Sequence, residues 1–145
     1  MGLCISYLEK RNLEKYDDNS VELFSLNNKI VYAKIVKVYD GDTCYAVFML
    51  HRKPVKFHIR MEGYDSPEMK PLLKTLNREK VIIDAKLAKT ELEKIVLNKI
   101  VKLHCGTWDK YGRLLAKLYI DELCVNKYMI ENGFGYEYFG GTKKM

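Results

Sequence analysis

Three short stretches of the chain concentrate the side chains that could do chemistry. They are Asp40-Gly41-Asp42-Thr43, then Arg60 followed by Asp65-Ser66-Pro67-Glu68, and then Asp109-Lys110-Tyr111-Gly112-Arg113. Carboxylates drawn from separate chain positions supply oxygen ligands, which suit a hard cation such as Ca²⁺ or Mg²⁺. Zinc is disfavoured, because Cys4, Cys44, Cys105 and Cys124 stand far apart and form no C-x-x-C pair. The interleaved arginines suggest a bound anion. A guanidinium grips two phosphate oxygens through its planar fork, and its charge stabilises a phosphorane-like transition state. Taken singly, each stretch is also ordinary turn or cap chemistry, Asp-Gly-Asp above all. It is their combination that points to a site.

The elements that must position these residues are legible from periodicity. Ile30 to Val38 is rich in β-branched residues, Asp40-Gly41-Asp42 interrupts it, and Thr43 to Leu50 resumes, which reads as strand, turn, strand. Val55, Phe57, Ile59 and Met61 alternate with Lys56, His58, Arg60 and Glu62, the period of a half-buried strand with Arg60 facing away from the core. Glu62 shares that outward face and is placed to pair with Arg60; His58 lies there too and reads as a surface residue. Residues 63–78 carry Gly63, Pro67, Pro71 and Asn77, the turn chemistry of a long surface loop. Val81, Ala85, Ala88, Leu92 and Ile95 or Val96 recur at helical spacing. Ile100 to Cys105 and Leu114 to Ile120 read as strands, and Val125 to Asn132 as a short helix ended by Gly133. About five short strands with a few packed helices suit a small Greek-key barrel such as the OB-fold. Other α+β sheets fit the same string.

Composition sets the outer bounds. The chain has 145 residues, 25 Lys+Arg against 19 Asp+Glu, a net charge of +6, and 48% hydrophobic residues. That describes one basic globular domain, not a disordered or disulfide-scaffold protein. The longest apolar run, Cys44 to Leu50, is far short of the ~20 residues that span a bilayer. Residues 1–28 hold three basic and five acidic side chains, so the +8 of residues 29–145 belongs to the body. A basic surface attracts phosphates, in nucleic acid, nucleotides or lipid headgroups.

With the three stretches in order, the sequence resembles the staphylococcal nuclease (thermonuclease) family. Its pattern of Asp-Gly-Asp-Thr, Arg-Leu-x-Gly-Ile-Asp-Ala/Thr-Pro-Glu and Asp-x-Tyr-Gly-Arg appears as Asp40-Gly41-Asp42-Thr43, Arg60-Met61-Glu62-Gly63-Tyr64-Asp65-Ser66-Pro67-Glu68 and Asp109-Lys110-Tyr111-Gly112-Arg113, across roughly residues 30–135. The resemblance implies an α+β protein, a five-stranded Greek-key OB-fold β-barrel with about three helices, and a Ca²⁺-dependent phosphodiesterase cutting DNA, RNA or both to 3′-phosphates. It implies that Asp42 and Asp65 ligate Ca²⁺ by carboxylate and Ser66 by its main-chain carbonyl. Glu68 then orients or deprotonates the attacking water, and Arg60 and Arg113 grip the phosphate. Lys110 and Tyr111 fall where the family contacts a terminal phosphate; Tyr136, Tyr138 and Phe139 are the candidates for base stacking. A catalytically inactive nucleic-acid-binding OB module is the alternative, which the complete set of acids and arginines disfavours. A monomer is expected.

Residues 7–20 mix charge with Asn and Ser without sustained period, so 1–20 reads as an arm and 21–145 as the folded domain. Charges begin at Glu9, so a secretory signal is not expected, and with the dispersed cysteines an intracellular, reducing setting is the expectation. Met1-Gly2-Leu3-Cys4-Ile5-Ser6 fits N-myristoylation at Gly2, with Cys4 placed for palmitoylation. One acyl chain holds a membrane only marginally, so attachment to a cytoplasmic membrane face would need both.

Overall fold

After Lys29 the chain alternates apolar and polar residues in long stretches, and those stretches fold as strands. The structure is a computed structural model; it describes residues 2–140, with side chains described from Ile5 onward. The elements in chain order are α1 (Gly2–Leu13), β1 (Ile30–Asp40), β2 (Thr43–Leu50), β3 (Lys53–Met61), β4 (Tyr64–Asp65), α2 (Arg78–Val96), β5 (Ile100–Trp108), β6 (Leu114–Ile120), β7 (Leu123–Cys124), α3 (Val125–Glu131) and β8 (Tyr136–Glu137).

Strands β3, β2, β1, β5 and β6 pair antiparallel in that order, and a parallel pairing of β3 with β6 closes the ring into a five-stranded mixed barrel of OB type. That closure sets Arg60 opposite Leu115. The end of β3 and the start of β6 therefore meet, which brings two arginines 53 positions apart to one rim. Inside, Ile35, Cys44, Ala46, Ile59, Leu103 and Leu118 are fully buried. Helix α2 covers one end with Ala85, Ala88, Leu92 and Val96, the predicted apolar stripe. From α3, buried Asn126 donates through Nδ2 to the carbonyls of Glu62 (2.9 Å) and Ala116 (3.0 Å), and its Oδ1 accepts from the Leu118 N–H (2.9 Å). One amide thus satisfies three buried backbone groups at the seam where β3 leaves the barrel.

The structure departs from the sequence reading in two places. Residues 2–13 form a helix where no regular structure was expected; its apolar residues Tyr7, Leu8 and Leu13 are exposed, so no stripe marks it, while Lys10 and Arg11 suit its C-terminal end. Gly2 and Cys4, the expected lipidation sites, are described in their backbone alone, so their surroundings lie outside the described structure. No described helix is long and apolar enough to cross a membrane. Finally, β7 and the β4–β8 pair are two-residue strands, too short to show a period. Gly133 adopts φ +78°, the left-handed stop expected after α3.

Candidate active site

The turn from β1 to β2 is built by its own side chains. Asp40 Oδ1 accepts the Asp42 N–H at 3.0 Å, an Asx turn that fixes the carboxylate of Asp42. Gly41 is required by a close approach, because a Cβ there would lie 2.7 Å from the Cβ atoms of both Ala88 and Ser66. The Tyr64 hydroxyl donates to the Gly41 carbonyl at 2.7 Å. Asp42 Oδ2 accepts the Ser66 N–H (2.7 Å) and Ser66 hydroxyl (3.0 Å), and its Oδ1 accepts the Thr43 hydroxyl at 2.9 Å. Asp42, Asp65 and Ser66 are all buried. Burial, then the neighbouring Asp42 charge, pushes the Asp40 carboxyl up to about 6. The sequence reading took Asp40 only as part of the turn, yet it lines the same cavity as Asp42.

Arg60 lies across the two acids. Its Nη2 pairs with Asp65 Oδ1, its Nη1 stands 3.5 Å from Asp42 Oδ1, and Nη1 also donates to the carbonyls of Met61 (2.9 Å) and Tyr64 (2.8 Å). These partners replace the expected one, Glu62. The chain bends at Gly63 (φ +92°) and folds Tyr64-Asp65 back over Arg60, while the Glu62 main chain is held at the barrel seam by Ala116 and Asn126.

The third stretch is a tight loop ordered by one carboxylate. Asp109 accepts the N–H groups of Tyr111 (2.8 Å) and Arg113 (2.9 Å) through Oδ1, and Arg113 Nε through Oδ2 at 2.6 Å. Burial alone would raise its pKa, but these bonds outweigh that and hold it below the usual carboxylate range. Asp109 uses only Nε, which leaves the two Nη groups of Arg113 for an anion. The Arg113 guanidinium and the Lys110 ammonium lie 5.3 and 5.1 Å from the Tyr111 ring centroid. His58 is no simple surface residue. Its ring stacks flat on Tyr45 with centroids 4.4 Å apart, and its Nε2 is buried with no hydrogen-bond partner among the described residues.

A cavity of about 470 Å³ gathers Asp40, Asp42, Asp65, Ser66, Glu68, Arg60 and Arg113, with Lys110, Tyr111 and Tyr138 at its edge. Arg60, Arg113, Lys110, Tyr111 and Tyr138 also line a neighbouring cavity of about 720 Å³, where Phe139 joins them. Glu68 is exposed at the surface of the smaller one. Tyr136 lines neither cavity; it pairs with Asp65 through the β4–β8 ladder. Among the described residues, no three His, Cys, Asp or Glu side chains form a ready-made cation cage.

Residues 58–144 match the family model described as staphylococcal nuclease homologue. The chain is 33% identical over 89 residues to a staphylococcal-like nuclease of Arabidopsis thaliana, and 29% over 83 residues to a probable staphylococcal-like nuclease of Oryza sativa subsp. japonica. Those alignments take in 61% and 57% of this chain but only 24% and 20% of the two relatives, so the chain spans about a fifth to a quarter of their length. The family match begins at His58, and the Asp42 turn is brought to the site by the barrel pairing of β2 with β3. With more than half its length inside the family match, on a five-stranded barrel with three helices, the chain belongs to the staphylococcal nuclease family.

Proposed function

We propose that the protein is a Ca²⁺-dependent phosphodiester hydrolase that cuts DNA, RNA or both and leaves 3′-phosphates. The observation that carries this reading is the convergence of Asp42, Asp65, Glu68, Arg60 and Arg113, from three distant stretches, on one cavity. The donor chemistry fits a hard cation: the carboxylates of Asp42 and Asp65 and the carbonyl of Ser66 are all oxygen, with neither thiolate nor imidazole among them. Arg60 lies across both carboxylates and supplies positive charge to the pair. When bound, Ca²⁺ would polarise a phosphoryl oxygen and add positive charge where the transition state becomes more negative.

The chain's own residues do the rest. The Arg113 fork, steadied at Nε by Asp109, holds two phosphate oxygens. Arg60 sits between the acids and the phosphate, so its guanidinium adds a second grip as charge develops in the transition state. Glu68 orients the attacking water in line with the leaving 5′ oxygen. Lys110 and Tyr111 meet a terminal phosphate, and Tyr138 stacks a base.

The test is incubation of single-stranded DNA and of RNA with the protein in Ca²⁺ or in EGTA. Cleavage that requires Ca²⁺ and disappears in Asp42→Asn is the expected result. Retention of the substrate without cleavage would instead identify a binding module. Acylation at Gly2 and Cys4 is a separate proposal resting on the sequence motif: in a eukaryotic cell Gly2→Ala should release the protein from membranes, and unchanged fractionation would reject it.

A further inference from the structure

We propose that the outer face of β5 and β6 is a track for single-stranded nucleic acid leaving the active site, with the His104–Tyr119 ring pair as a base platform. This rests on the nuclease reading and adds where the rest of the substrate lies. The larger cavity is lined by Arg113 and Lys110, by Gly106 and Leu115, and by His104, Lys117 and Tyr119. Gly106 keeps the floor low at the midpoint, since a Cβ there would come within 3.1 Å of the Leu115 carbonyl.

Strand alternation supplies the lining. Val101, Leu103 and Cys105 point inward, so Lys102, His104 and Gly106 face out; on β6, Lys117 and Tyr119 do the same in alternation with buried Ala116 and Leu118. His104 stands opposite Lys117 in register, and its ring centroid lies 4.3 Å from that of Tyr119. Next to them Lys102 Nζ lies 5.9 Å from the Tyr32 ring, whose residue is 71% exposed. Rings interleaved with lysines, on the outside of a filled barrel and continuous with two phosphate-facing arginines, match what an unpaired strand needs: charge along its backbone and π-faces for its bases. A duplex could not use the rings, because its bases are stacked on each other.

The test is fluorescence anisotropy in EGTA, where nothing is cut, with DNA and RNA oligonucleotides of about 12 residues and with a nucleoside 3′,5′-bisphosphate as the short probe. On the unaltered protein, affinity should rise with strand length beyond a dinucleotide. Lys117→Glu, at an exposed position, should weaken the long oligonucleotides ~10-fold and lower the salt slope by about one, with the bisphosphate bound as before. Tyr119→Leu should weaken them several-fold in both sugar series, and a loss confined to DNA or to RNA would name the strand the track prefers. Affinity that is independent of length, or unchanged in both variants, overturns the track. So does an equal loss for the bisphosphate. Ca²⁺-dependent cleavage by the same preparation is scored separately: its absence would reject the nuclease reading while the length-dependent binding stood.

Discussion

The hydroxyl of Tyr64 donates a 2.7 Å hydrogen bond to the carbonyl of Gly41, tying the bend after β3 to the turn that presents Asp42. Both residues are buried. The family pattern carries Ile at the position of Tyr64, so this chain adds a polar strut where an aliphatic side chain would only pack. The phenol is held well above its usual pKa, by burial first and by the Asp42 carboxylate next, so it stays a donor throughout the working pH range.

Tyr64→Phe should therefore do more than remove a hydroxyl. It leaves a buried carbonyl without its donor, a loss of ~1–3 kcal/mol that equilibrium urea denaturation would read. It also frees the Asp42 turn, so calorimetric Ca²⁺ affinity should fall several-fold. Unchanged affinity would mean that the Asx turn alone positions Asp42.

Gly41→Ala tests the packing of the same turn. The added methyl would sit 2.7 Å from both Ala88 on α2 and Ser66 beside Asp65, and neither neighbour has a flexible far end that could swing aside. Overpacking of this kind costs ~1–3 kcal/mol. The melting temperature should drop, and activity should fall further than stability alone explains, because the displaced atoms carry Asp42 and Ser66. A variant with wild-type melting and turnover would show that the turn relaxes freely.

Arg113 and Asp109 should separate catalysis from positioning. Arg113→Ala removes a phosphate grip and should lower kcat/KM by ~10²–10³. Asp109→Ala keeps the guanidinium but releases its Nε anchor and two loop N–H bonds, so a smaller loss is expected. Asp109→Asn, whose Oδ1 still accepts both N–H groups, should recover part of it. Equal losses in the two alanine variants would make Asp109 a reacting group in its own right.

How far the sequence revealed this site depends on the range of the forces involved. Period-2 strands and the α2 stripe follow from burial, which every residue of an element reports, and so β2, β6 and α2 emerge close to their observed bounds. Asp42, Asp65 and Arg113 are singled out by the motifs that carry the family resemblance, and the fold brings the three to one cavity. What could not be read were the contacts made across the barrel: Arg60 turning to Asp65 instead of Glu62, Asn126 closing the seam, Tyr64 reaching Gly41. Each depends on a bend or a closure that no local pattern encodes. The two-residue β4–β8 ladder is of the same kind, since its register exists only once Gly135 lets the chain pass 2.5 Å, counted from an added Cβ, over the Tyr64 ring.

His58 offers a pH test that doubles as a sensor of Arg113. Burial first, then the positive charge of Arg113, lowers its pKa from 6.5, while Asp109 acts weakly the other way. The protonated ring would place a charged N–H at a buried Nε2 with no acceptor among the described residues. Below pH 6.5 the unfolded chain therefore holds more protons at this position than the folded one, and stability from this group rises with pH until that value is passed. His58→Phe, which keeps the stack on Tyr45, should flatten the stability difference between acid and neutral pH relative to the parent. Parallel pH profiles for parent and variant would refute the assignment. Because Arg113 contributes to the depression, a phosphate bound at its Nη groups should cancel part of it, and the His58 ring resonances should titrate at higher pH when a nucleoside 3′,5′-bisphosphate is added. An unmoved titration would place the phosphate away from Arg113, and with it the grip on which the proposed hydrolysis depends.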